Sequence, residues 1–148
     1  MKNNLLYLLR SGADQLEMTL TEKTEFNILN YIEILTYWNR RVNLVSYKNV
    51  SDLITLHILD SMTLFNVVPP ETNLKIMDIG SGAGFPGIVL KIASEPKELT
   101  LVEKSPKRAA FLKEVVRKVG LKGVLVLNTD YNTLKNPEYS EDYDLVVS

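Results

Sequence analysis

The stretch Leu74-Lys75-Ile76-Met77-Asp78-Ile79-Gly80-Ser81-Gly82-Ala83-Gly84-Phe85-Pro86-Gly87 decides the fold. A short, mostly apolar run stops at a cluster of glycines, which reads as a buried strand ending in a tight loop. Residues Gly87 to Ser94 then read as a helix. Glycines are needed in such a loop because the backbone must approach a ligand where a Cβ would collide. A glycine pattern gains weight when a strand precedes it and a helix follows. In open parallel sheets, ligands bind in the crevice beyond the carboxyl ends of the strands.

The same alternation continues downstream. Leu99-Thr100-Leu101-Val102-Glu103 reads as a second strand, Val124-Leu125-Val126-Leu127 as a third, and Tyr143-Asp144-Leu145-Val146-Val147 as a fourth. Between the second and third, Ser105-Pro106-Lys107-Arg108 opens a helix with a capping serine and a proline at its first position, and Gly120 closes it. Strands alternating with helices imply parallel crossovers and a doubly wound, Rossmann-like α/β fold. The fourth strand runs into Ser148 with its edge bare, so the sheet is expected to be incomplete at the C-terminus.

Upstream, Val67-Val68-Pro69-Pro70-Glu71-Thr72-Asn73 marks a seam. Residues 1–73 form an expected helical subdomain, and residues 74–148 the first part of the Rossmann-like domain. Leu5 to Leu9 form a short apolar segment that Gly12 is expected to end. Thr21 caps a longer helix, with Glu22 and Glu25 at the positive end of its dipole. Phe26, Leu29, Ile32 and Leu35, widened by Ile28, Tyr31 and Trp38, give that helix a buried stripe. Ser51 is expected to cap a third helix, with Leu53, Ile54, His57, Ile58, Ser61 and Phe65 along one side.

Composition narrows the function classes. The chain has 148 residues, 45% hydrophobic and 24% charged, which excludes disordered and low-complexity classes. A net charge of −1 encodes no bulk attraction to nucleic acid, so any RNA contact requires a local patch. The absence of cysteine removes disulfides, thiolate metal sites and a cysteine nucleophile. With one histidine, His57, no metal site is expected. No apolar stretch approaches the roughly 18 residues of a membrane span, and no secretory segment is visible. A soluble, cytoplasmic monomer is the expectation.

Glu103 ends the second strand, 21 residues after Gly82, where a carboxylate can accept both hydroxyls of a ribose. Together with the loop it argues for a nucleoside-containing cofactor. Gly82, Gly84 and Gly87 satisfy the dinucleotide spacing, so an NAD-dependent oxidoreductase is one reading. The run Asp-x-Gly-x-Gly-x-Gly is also the form this loop takes in S-adenosylmethionine-dependent methyltransferases. Asp78 favours the second reading, because a negative charge at the loop's entry suits a sulfonium better than a pyrophosphate. Phosphate-loop chemistry is out, since no Gly-Lys-Ser/Thr follows.

Three segments carry a more specific resemblance: Trp38-Asn39-Arg40-Arg41-Val42-Asn43-Leu44, His57-Ile58-Leu59-Asp60-Ser61, and the glycine loop from Asp78 to Gly87. With Ser105-Pro106-Lys107-Arg108-Ala109-Ala110-Phe111-Leu112 downstream, the chain resembles the bacterial 16S ribosomal RNA guanine nitrogen-7 methyltransferases, also called glucose-inhibited division protein B. The resemblance covers essentially the whole chain. It implies S-adenosyl-L-methionine as cofactor and 16S ribosomal RNA or the small ribosomal subunit as partner. By position, Gly80 and Phe85 would line the cofactor pocket, Gly82 and Gly84 would form the loop, and Tyr131 and Asn132 would flank the adenine. The family shows Arg-Ala-Glu where this chain has Asp130-Tyr131-Asn132. The resemblance also implies a longer enzyme, of which these residues would be the first two-thirds or so.

The chemistry agrees with what the sequence lacks. Nitrogen-7 of guanine carries a lone pair and no proton, so its methylation needs alignment more than a general base. His57 reads first as a packed, hydrogen-bonded histidine on an apolar helix face, while the family's His-x-x-Asp-Ser pattern implies a role at the domain junction, positioning the cofactor loop or the target base. Asp60 lies three residues on, on the same face, where the simple reading is a pair with His57 or a bond to backbone. Trp38, Tyr31, Tyr37 and Phe26 read as core before base-stacking platform. Arg40 and Arg41 either oppose the dipole at a helix end or touch phosphate. From Lys104 to Lys122, seven cations face one anion, Glu114, so Lys107 and Arg108 are candidate RNA contacts. A non-enzymatic RNA-binding remnant of the fold is the remaining alternative.

Overall fold

The computed structural model describes residues 1–68, 73–94, 98–135 and 143–148. Helices α1 (Lys2–Gln15) and α2 (Glu22–Asn39) lead into a composite third helix. That helix comprises α3 (Val50–Asp52), a π-helical stretch (Leu53–Ile58), α4 (Leu59–Met62) and a closing 3-10 turn (Thr63–Asn66). Strands β1 (Lys75–Ile79), β2 (Glu98–Val102), β3 (Val124–Leu127) and β4 (Leu145–Val147) alternate with α5 (Gly87–Ser94) and α6 (Pro106–Val119). Among the described residues the sheet has four strands in the order β3-β2-β1-β4, and every pairing is parallel. Asp78 pairs with Leu101 on one side and Val147 on the other, so β1 is central. The strand order reverses at β1, and its carboxyl end is where a ligand crevice forms.

The α/β reading therefore holds, while several details upstream are corrected. Gly12 does not end α1; the helix runs on to Gln15. A Cβ on Gly12 would fall 2.1 Å from Leu59 Cδ1, so the glycine is there to let α1 lie against α4. Just past its end the chain turns at Glu17, which adopts φ +57° while the N–H of Met18 bonds to Ala13 O. Thr21 caps α2 as expected, its hydroxyl accepting the Thr24 N–H at 3.1 Å. Ser51 is not the cap of the third helix. Asn49 holds that place, and the Asp52 carboxylate accepts the N–H groups of Lys48 and Asn49 at 2.9 Å each.

The stripe on α2 is also corrected. Ile28, Tyr31, Ile32 and Leu35 are buried, whereas Phe26 is 69% and Tyr37 54% exposed. Steps of three residues drift around a helix of 3.6 residues per turn; the buried face follows the i, i+3, i+4, i+7 pattern. Trp38 is half-buried and meets Phe111 of α6 edge-on at 5.9 Å. One apolar cluster runs from Leu5 and Leu9 through Tyr31, Ile54 and Ile88 to Phe111 and Val115. The first helices and the sheet thus share a single core. Of the seam, residues 69–72 lie outside the described residues. Among the described residues, no helix is long and apolar enough to cross a membrane.

Candidate cofactor site

The loop after β1 is stitched to its neighbour strand. The N–H groups of Gly80 and Ser81 bond to Val102 O at 2.8 and 3.1 Å, and the Ser81 hydroxyl donates to Asp78 O at 2.9 Å. Gly80, Gly82 and Gly84 all have positive φ. Beyond that they differ. A Cβ on Gly80 would meet nothing within 4 Å, and one on Gly82 only Gly80 O at 3.7 Å. A Cβ on Gly84 would lie 2.7 Å from Ile88 Cγ1 and 3.0 Å from the Tyr31 hydroxyl. Gly80 and Gly82 therefore border open space, whereas Gly84 is a packing residue behind the loop. Gly87 likewise packs against Asp78 and Leu101. The dinucleotide register thus places two of its three glycines out of contact with any ligand above the loop.

Glu103 sits just past β2 and is buried. Its two carboxylate oxygens accept the N–H groups of Gly82, at 2.9 Å, and Ser105, at 2.8 Å. The side chain thereby joins the glycine loop to the turn that opens α6. Each carboxylate oxygen has a second lone pair, so acceptor capacity for ribose hydroxyls remains. Asn128, just past β3, braces the same corner by donating to the carbonyls of Glu103 and Lys104 at 2.9 and 3.1 Å.

The back of the loop is held by the N-terminal helices. The buried Tyr31 hydroxyl of α2 donates a short hydrogen bond to Ala83 O. Phe85 lies between Tyr31 (ring centroids 5.7 Å apart) and His57, which stacks on it at 5.0 Å and 20°. His57 comes from the π-helical stretch, an element often found at functional sites. The sequence pattern offered no signal that Tyr31 reaches the loop.

Asp78 does not face the loop's entry, contrary to the expectation. It is fully buried, and Oδ2 accepts the Gly87 N–H at 2.9 Å while Oδ1 has no partner among the described residues. Burial raises its pKa to about 7, opposed by the Gly87 hydrogen bond and assisted by the charge of Glu103. Its carboxyl group thus anchors the start of α5 from beneath. Burial, with Asp78 nearby, also lifts the Tyr31 phenol well above its ordinary range.

The other expected residues separate. Tyr131 and Asn132 open a 3-10 turn (Tyr131–Lys135) after β3 and are exposed. The Asn132 side chain is turned onto Asp130, donating to Oδ1 at 2.9 Å. Arg41, Lys107 and Arg40 are exposed. Arg41 lies 5.5 Å from the Tyr37 ring centroid and lines a groove with Glu114 and Lys118 of α6. Arg40 lines a different groove, with Met1 and Lys2 of the α1 end. Arg108 is half-buried, and its guanidinium donates to Asn43 O at 3.1 Å. Glu114 pairs with Arg117 and Lys118, so part of the cationic run is neutralised.

Asn39 is a residue whose role the motif alone concealed. Its side chain bonds Val45 O, Leu44 N and Val45 N at 2.9, 2.9 and 3.1 Å, holding the 40–45 loop closed. That loop carries the Asn43 carbonyl onto which Arg108 docks. The Trp38–Leu44 motif is, in large part, a brace between α2 and α6.

A glycine cradle open above Gly80 and Gly82, a carboxylate ending β2, and the β3-β2-β1-β4 order define a Rossmann-like fold of the S-adenosylmethionine-dependent methyltransferase class. Solved structures agree on the fold. A protein-L-isoaspartate O-methyltransferase matches with TM-score 0.58 and 17% identity, over 99% of this chain and 47% of that one. Coclaurine N-methyltransferase, bound to N-methylheliamine and SAH, matches with TM-score 0.53 and 17% identity, over 99% and 48%. The family described as "GidB: rRNA small subunit methyltransferase G" matches residues 24–148, and the chain belongs to it. Ribosomal RNA small subunit methyltransferase G of Dictyoglomus thermophilum is 35% identical over all of this chain and 62% of its own length. That of Syntrophus aciditrophicus is 37% identical over 95% of this chain and 59% of its own. The chain spans about 60% of the length of these relatives.

Proposed function

We propose that this chain serves the transfer of a methyl group from S-adenosylmethionine to nitrogen-7 of a guanine in small-subunit (16S) ribosomal RNA, in the cytoplasm. The observation that carries the reading is the open cradle above Gly80 and Gly82, closed on one side by the Glu103 carboxylate. Family membership supports the RNA substrate. The cofactor supplies an electrophilic methyl group on a sulfonium. Glu103 accepts the ribose hydroxyls, Gly80 and Gly82 let the backbone approach, and Tyr131 and Asn132 stand beside the adenine. Gly84 and Phe85 act from behind by fixing the loop's shape. Since guanine nitrogen-7 needs no deprotonation, these residues contribute chiefly by holding both reactants aligned. Residues 1–73 act as a helical support for residues 74–148. Arg40, Arg41 and Lys107 supply phosphate contacts, and Arg108 orders the loop beside them.

Calorimetric titration with S-adenosylhomocysteine tests the reading. Saturable binding, weakened by Glu103→Ala and by Gly80→Ala, is expected. A folded chain that does not bind would overturn it. For transfer itself, ribosomal RNA incubated with protein and cofactor is digested and analysed by mass spectrometry. 7-Methylguanosine is the expected product, and methyl groups confined to amines or riboses would refute the assignment.

A further inference from the structure

Beside the cofactor loop lies a second cavity, of about 320 Å³, between the third helix and the Phe85-Pro86 corner. Its walls include His57, Asp60, Ser61, Leu64, Phe85 and Pro86. This volume is at the small end of the range of about 300–1,000 Å³ for ligand cavities, suited to one base more than to a whole nucleotide. Enzymes that modify a base commonly act on an unpaired or flipped-out one, reading it by hydrogen bonds to its Watson–Crick edge and by flat apolar walls. Phe85, Pro86 and Leu64 provide the walls.

Two hydroxyl groups of the cavity are spent within the helix. The Ser61 hydroxyl donates to His57 O at 2.6 Å, and the Thr63 hydroxyl to Asp60 O at 2.6 Å. Among the described residues the side chains of His57, Asp60 and Ser148 make no hydrogen bond or ion pair there, and of these Asp60 alone presents a carboxylate, which is exposed. A free carboxylate is an acceptor-only group with two oxygens side by side. Guanine alone among the RNA bases offers two adjacent donors to match, N1–H and the 2-amino group. Both lie on the edge away from nitrogen-7.

We propose that this cavity receives the methyl-accepting guanine and that Asp60 selects it by accepting N1–H and the 2-amino group. The assignment rests on the methyltransferase reading and adds the residue that chooses the base. Gripping the Watson–Crick edge leaves nitrogen-7 on the free side of the purine. Adenine, with an acceptor at N1, would face the carboxylate with like polarity.

The test uses the whole chain with S-adenosylhomocysteine present and guanosine, inosine and adenosine 5′-monophosphates as probes, followed by saturation-transfer NMR. Guanosine monophosphate should bind. Inosine monophosphate, lacking the 2-amino group, should bind about tenfold more weakly, the loss of one hydrogen bond to a charged group. Adenosine monophosphate should give no response at this cavity. Asp60→Asn should remove the preference for guanosine over inosine. Equal binding of the two by the unsubstituted chain, no binding of guanosine monophosphate, or a preference that survives Asp60→Asn would each overturn the assignment. Titration of the same proteins with S-adenosylhomocysteine separates the two levels. Failure to bind it would overturn the methyltransferase reading and the assignment with it, whereas binding it without guanine preference overturns the assignment alone.

Discussion

Asp78 makes the stability of this protein depend on pH in an unusual direction. In the fold its pKa is about 7, against an ordinary value of 3.8, because burial penalises the charged form. Below the ordinary value the group is protonated in both folded and unfolded chains and has no effect. Between the two values the unfolded chain ionises while the folded one holds its proton, so stability falls as pH rises. Above about 7 both are charged and the loss is complete. From about pH 4.5 to the folded value is roughly 2.5 units, which at about 1.4 kcal/mol per unit is roughly 3 kcal/mol. Carboxylates held below their ordinary range, such as Glu25 beside Arg10 and Asp52 beneath two N–H groups, act oppositely. Their contribution is lost as pH falls below about 4, a separate window.

Asp78→Asn isolates the effect. The amide keeps an oxygen for the Gly87 N–H but places NH₂ where Oδ1 is unpartnered, at a pH-independent cost of about 1–3 kcal/mol. Urea unfolding followed by Trp38 fluorescence at about pH 4.5, 6 and 8 measures both proteins. The stability difference between variant and parent should move by roughly 3 kcal/mol in the variant's favour across that range. A difference that stays constant with pH would refute the argument.

Other substitutions separate the open side of the loop from its packed side. Gly84→Ala should lower stability by about 2–4 kcal/mol in urea unfolding, since it adds positive-φ strain to a clash with Ile88 and Tyr31. Gly80→Ala, with open space around the new methyl group, should cost only about 1–2 kcal/mol of stability yet lower affinity for S-adenosylhomocysteine at least tenfold; equal effects of the two would contradict the division. Tyr31→Phe leaves the buried Ala83 carbonyl without its donor and should cost about 1–3 kcal/mol by thermal or urea unfolding. Asn39→Ala removes three hydrogen bonds to the 40–45 loop and should cost about 2–3 kcal/mol; an unaltered midpoint would show that the loop closes without it.

The parallel sheet was legible because its signals are local. An apolar run ending at Gly80, and Ser105-Pro106 opening a helix that Gly120 closes, need no distant partner to be read; Gly120 indeed adopts φ +75° at the end of α6. Glu103 was legible for the same reason, as the last residue of an apolar run. Helix faces were less so. Phe26 and Tyr37 match an apolar stripe by type, but burial depends on which side of α2 meets α1, α5 and α6. Gly12 looked like a stop, because a helical glycine and a terminating glycine have the same sequence signature. Only the approach of Leu59 distinguishes them.

What the sequence determined by itself was the fold class, the loop and the carboxylate opposite it, since each follows from backbone geometry and residue chemistry within a few positions. Tertiary structure alone decided how the four loop glycines divide. Gly80 and Gly82 border open space while Gly84 and Gly87 are packed from behind by Tyr31, Ile88 and Asp78. It also decided that Asp78 is buried beneath the loop, with no access to a ligand, and that Tyr31 and His57 reach the loop at Ala83 and Phe85. The physical reason is the same in each case. Desolvation and steric contact depend on atoms that only the folded chain brings together, whether Ile88 and Asp78 a few residues from Gly84 and Gly87 or Tyr31 and His57 tens of residues from the loop.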